Sequence, residues 1–144
     1  MSARKQITDQ LETTLTGLAT TGSTVFTSRV YDHEVVPSLA IYALNEETVD
    51  ESMGMKQTRM LSVVIEARVK ANTNVDDQLD QIATEVESAI FANDDTTLNG
   101  TCLDFDYQGM DVELNGEGEK PVGLMTIRFG ALYRVDKTDV STTI

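Results

Sequence analysis

The chain has 144 residues, 40% hydrophobic and 24% charged, with one cysteine, and carries 11 basic against 24 acidic residues for a net charge of −13. This length gives one domain with a core that needs no covalent staples, and the lone Cys102 excludes an internal disulfide framework. No apolar run reaches the roughly 18 to 20 residues of a membrane span, and the carboxylate surplus excludes a broad phosphate-gripping surface for nucleic acid.

The start, MSARKQITDQ, has basic residues with no apolar run behind them, so no secretory signal is expected and folding in a reducing cytoplasm is. Ile7, Leu11, Leu15 and Leu18 then recur at helical spacing and predict an amphipathic helix from about Ala3 to Leu18, ended by Gly17 and TTGST. Thr24 to Tyr31, TVFTSRVY, is β-branched and aromatic and predicts a strand. Pro37 precedes a second short strand, SLAIYAL, over Ser38 to Leu44. Asn45 to Met55 follows with Glu46, Glu47, Asp50 and Glu51 closely packed; mutual repulsion predicts an extended, solvated loop.

Arg59 to Ala71 predicts a long strand, with Leu61, Val63, Ile65, Ala67, Val69 and Ala71 facing inward. Ser62, Glu66, Arg68 and Lys70 face outward, with Val64 the apolar exception. A second helix follows, with Asn74 at its N-cap and Asp76 and Asp77 complementing the dipole. Leu79, Ile82, Ala83, Val86, Ala89 and Ile90 form its apolar face. After the loop NDDTTLNG, Leu103, Phe105 and Tyr107 alternate inward. The phase then slips at Gly109 to Met110, Val112 and Leu114, which predicts a β-bulge. Asn115 to Pro121 turns the chain into a last strand, Gly123 to Val135, with Arg128 and Arg134 on its polar side. Asp136 to Ile144 reads as a polar tail without periodicity and with scope for flexibility. The whole predicts an α+β domain: a mostly antiparallel twisted sheet of about five strands with two helices on one face.

Chemical motifs are sparse. His33 lies between Asp32 and Glu34, but neighbouring strand residues point to opposite sides, so a metal site is disfavoured against an exposed strand-end histidine. Cys102 reads as a small buried hydrophobe, with no flanking motif for a thiolate–imidazole pair with His33. Asp95 to Asp106 resembles a calcium loop at Asn99-Gly100, yet has Thr97 at its third place and Asp106 where a bidentate Glu belongs. GEGEKPVG lacks the Lys-Ser/Thr of a phosphate loop, and Asn99-Gly100-Thr101 matches a glycosylation acceptor without an export signal. No catalytic residue, cofactor or metal ligand is expected. What remains is the polar sheet face, where Glu66, Arg68, Lys70, Arg128 and Arg134 mix with Val64, Leu124 and Leu132. That mixture suits a partner interface and equally a solvated face.

The succession TVFTSRVY, VPSLAIYALNEE, RMLSVVIEARVKA, VDDQLDQIATEVESAI and GEKPVGLMTIRFGALYRV resembles the tail terminator proteins of long-tailed bacteriophages, the minor tail protein U type. The resemblance covers nearly the whole chain, over residues 1–135, and lies in the pattern of strands and helices rather than in catalytic signatures. It implies a non-enzymatic virion protein, assembled in the host cytoplasm and placed at the head-proximal end of the tail. There a hexameric ring of copies caps the major tail tube protein, stops tube growth and docks the neck or head-completion protein. DNA passes through that ring without specific binding, and Glu46, Glu47, Asp50 and Glu51 are candidates for an acidic lumen lining that would not trap it. A head–tail joining protein is the neighbouring alternative, and a small cytoplasmic ligand-binding domain or enzyme the more distant one.

Overall fold

The computed structural model describes residues 2–27, 37–49, 54–70, 74–115 and 122–143. Helix α1, Ala3–Leu15, starts where the Ser2 hydroxyl accepts the Lys5 N–H, and buries Ala3, Ile7, Leu11 and Leu15 along one stripe. It stops three residues short of the expected Leu18. Gly17 turns to φ 95°, and the chain closes on itself through Gly17 N–H to Gly22 O and Gly22 N–H to Leu18 O, both 2.8 Å.

Strand β1, Val25–Phe26, runs parallel to β2, Ser38–Thr48; the remainder of the expected first strand, and His33, fall outside the described residues. β2 pairs antiparallel with β3, Lys56–Lys70, with a bulge between Ala43 and Asn45. It therefore runs four residues past Leu44, into the stretch expected to be an acidic loop. Helix α2, Val75–Ile90, buries Val75, Leu79, Ile82, Ala83, Val86 and Ile90. Asn74 holds the N-cap position, although its side chain makes no capping bond.

A 3-10 turn over Ala92–Asp94 leads through a loop to β4, Asp104–Asn115, which is antiparallel to β5, Val122–Asp136. The expected bulge is present between Tyr107 and Gly109, and Gly109 takes φ 156° there. The segment after Asp136 is not an irregular tail: Asp139–Thr143 forms β6 against the end of β5, and the Gln6 side chain of α1 donates to Ser141 O. The sheet thus has six strands, not about five, in the order β1-β2-β3-β5-β4 with β6 on β5, and the molecule is a single mostly antiparallel α+β domain.

Both helices lie on one face. α1 packs on β2, β6 and β1, α2 on β3 and β5, and the two touch each other. One core lies between the layers, with Phe105 and Phe129 stacked at 5.1 Å and Tyr133, Leu61, Ile65 and Ile127 fully buried. A helix is roughly 10 Å wide and strands lie about 4.8 Å apart, so a helix lying along the strands roofs about two of them, as α2 does with β3 and β5. β4, the fifth in line, is left beyond the edge of α2. Leu103 and the β4 side chains of Tyr107, Met110, Val112 and Leu114 were expected in the core. All five are 41–59% exposed, the four of β4 on the helix side of the sheet.

Candidate functional site

The face of the sheet away from the helices gathers residues from every long strand. Register places Arg134, Leu132, Gly130, Arg128, Thr126 and Leu124 of β5 opposite Thr58, Met60, Ser62, Val64, Glu66 and Arg68 of β3. Glu66, Arg68, Lys70, Arg128 and Arg134 therefore share one face, as their alternation required.

Each of three charged side chains has a cross-strand partner. The Tyr42 hydroxyl donates to Glu66 at 2.8 Å, Arg134 Nε donates to Thr58 Oγ1 at 3.2 Å, and Arg128 is hydrogen-bonded and ion-paired to Asp111 of β4. Gly109 makes room for the last pair, since a Cβ there would meet Arg128 Nη2 at 2.6 Å. Val64 is not a stray exposed residue: it is 3% exposed, flanked in register by Tyr42 and Arg128. The face is thus a lattice of long side chains laid over apolar ground, with Lys70 exposed at its rim.

Glu46 and Glu47, expected in an acidic loop, lie instead in β2. Glu46 and Glu47 are consecutive in β2 and so lie on opposite faces, Glu47 opposite Met60 on the outer side and Glu46 opposite Leu61 on the helix side. Glu46 is held at 3.0 Å from Arg4 of α1, with Arg59 3.9 Å away. This cation pair is why an acidic run continues as strand: two guanidinium groups from separate elements neutralise the carboxylate that repulsion alone would have driven into solvent. Glu46 is therefore a structural clasp between α1 and the sheet; Asp50 and Glu51 lie outside the described residues.

Cys102 is buried, its thiol donating to Thr97 O at 3.4 Å, and burial pushes its pKa up to about 12. Asp95, first residue of the calcium-like stretch, accepts the Thr97 and Asn99 N–H groups and the Thr97 hydroxyl, which hold its carboxyl below the usual range and organise the loop. Among the described residues no three His, Cys, Asp or Glu side chains converge to hold a metal ion. A depression of about 370 Å³ between α1 and β2 has Arg4, Lys5, Asp9 and Tyr42 on its walls. Its cations are matched within the chain, Lys5 to Asp9 at 2.8 Å and Arg4 to Glu46.

Alternation gave Asp111 no role and assigned the β4 apolar residues to the core. The available signal was a count of roofing elements: two helices cannot cover the whole of a five-strand sheet. No protein-family model matches the chain, and no curated protein matches it.

Proposed function

We propose that the chain is a tail-terminator-type structural protein, a subunit that assembles into a hexameric ring on the tail tube of a long-tailed phage, ends tube growth and docks the neck. The observation that carries this reading is the outer sheet face, which none of the described elements covers and on which charged side chains from three strands overlie the buried Val64 and half-buried Leu124 and Leu132. Apolar ground under a polar lattice is suited to protein contact rather than to turnover of a small molecule. A closed ring needs two different patches on each subunit, and the outer face is the candidate for one of them. At a charge of −13 per subunit, a ring repels DNA backbone and lets it pass.

The test is to add purified protein to growing tail tubes and measure tube length. Arrest at the tube end supports the reading; unrestricted growth removes it. Particles lacking the protein separate it from a head–tail joiner, because overlong tails mark a terminator and normal tails detached from heads mark a joiner.

A further inference from the structure

We propose that the open edge of β4 accepts an extended strand from a different protein, one that alternates basic and apolar residues. The inference goes beyond the tail-terminator reading and does not need it.

β4 is twelve residues long and ends the sheet on its side. Its first turnings are covered: Phe105 N–H donates to Thr96 O at 2.7 Å, so the preceding loop closes that end of the edge. From Tyr107 to Asn115 no other described segment pairs with it. Such an edge is a row of main-chain donors and acceptors already set at strand spacing.

The two faces of the edge differ in chemistry. On the helix side Met110, Val112 and Leu114 are exposed by 41%, 45% and 59%, an apolar stripe that none of the described elements roofs. On the outer side the alternating residues are Asp104, Asp106, Asp111 and Glu113. The wall above the stripe is acidic too. Asp76, Asp80 and Glu87 follow helical spacing on the flank of α2 opposite Glu85, which holds Thr20 of the turn after α1 on the other flank.

These features choose the occupant. A second copy pairing edge to edge would set Asp106 and Glu113 of one edge against the carboxylates of the other, which disfavours it. Crowding is evident within one chain: hydrogen bonding to Asp106, then burial and the Asp106 charge, push the pKa of Asp104 up. An incoming strand with Lys or Arg at alternate positions places those cations beside Asp106 and Glu113, on either side of Asp111, which Arg128 already holds. Its intervening apolar residues then lie against Met110, Val112 and Leu114. Strand alternation makes the two matches simultaneous.

The probe is a short end-capped peptide of alternating Lys and Val, titrated into the labelled protein and followed by amide NMR and hydrogen exchange. Expected are shifts and new protection over Tyr107 to Asn115. Affinity should fall with added salt, and should fall about tenfold or more for the matching Glu–Val peptide, for a Lys–Val peptide N-methylated along one edge, and for Val112→Lys. Absence of shifts along β4 overturns the proposal. Equal binding of the Glu–Val peptide removes its charge element, and equal binding of the N-methylated peptide removes strand addition. Doubled mass of the protein alone, with β4 amides already protected, assigns the edge to a second copy instead. The peptide comparisons use the unaltered protein, so they hold even if a variant misfolds.

Discussion

Gly123 of β5 lies directly beneath Val75, the first residue of α2: a Cβ on Gly123 would stand 2.4 Å from Val75 Cγ2 and 3.2 Å from Val69 Cγ2. The helix sits this close because the sheet presents no side chain there. Gly123→Ala should therefore destabilise the fold by about 1–3 kcal/mol through overpacking. Gly54→Ala, where no described atom lies within 4 Å, should stay within about 0.5 kcal/mol of the parent. Urea midpoints of the two variants, measured side by side, check the contrast; equal midpoints would refute the packing argument.

The Arg128–Asp111 pair joins β5 to β4 with side chains 39% and 68% exposed. Solvent screening limits such a pair to about 1 kcal/mol or less. Arg128→Glu should thus leave the subunit folded with a small loss of stability, and the exchanged pair Arg128→Asp with Asp111→Arg should recover most of it. A double-mutant cycle on thermal unfolding reads the coupling. If Arg128 also meets a neighbouring subunit, Arg128→Glu will weaken ring formation far more than it weakens the fold, and sedimentation at matched concentration will register that difference.

Cys102 should resist modification. With burial raising its pKa to about 12, the thiolate that reacts is scarce at pH 8, and the side chain is 6% exposed. Labelling by a thiol reagent should follow global unfolding, with rates rising in step with denaturant. Rapid stoichiometric labelling of the native protein contradicts this. Since the folded state holds the thiol proton more tightly than the unfolded chain does, this contribution to stability is complete below the unfolded pKa and is lost as pH rises from about 9 toward 12.

Acid should destabilise the fold. For Glu85, burial pushes the pKa up, but hydrogen bonds from the Thr20 hydroxyl and N–H, Gln81 and Ala19 outweigh it and leave the pKa below 4.5. Thr97 and Asn99 lower Asp95, and Thr138 lowers Asp136, both from 3.8. Depressed folded values mean that the unfolded chain binds more protons in this range, so stability rises with pH. These contributions are present above the ordinary carboxylate range and disappear as pH falls from about 5. Asp104, shifted the other way, offsets part of the loss. Urea midpoints from pH 6 to pH 3 should fall, and Glu85→Gln should flatten the decline; a slope unchanged in that variant would show that the Thr20 clasp is not involved.

Periodicity in the sequence was enough to place most elements. The four-residue spacing of Ile7, Leu11 and Leu15, the alternation of β3 and β5, and the phase slip at Gly109 are local signals, and each emerged where it was read. The parts that were misread depend on groups distant in the chain. Glu46 becomes strand because Arg4, 42 residues away, and Arg59 meet it. The residues from Asp139 become a strand because the end of β5 offers a free edge and Gln6 reaches Ser141.

Alternation along one segment determined, without reference to anything else, which side of the sheet each residue occupies and hence that Arg128 and Arg134 share a face with Glu66 and Arg68. Whether a side is covered was decided only in three dimensions, because coverage depends on the width of the helices and the order of the strands. That is why Met110, Val112 and Leu114 carry a core pattern and yet meet solvent: the strand order sets β4 outside β5, where α2 no longer reaches.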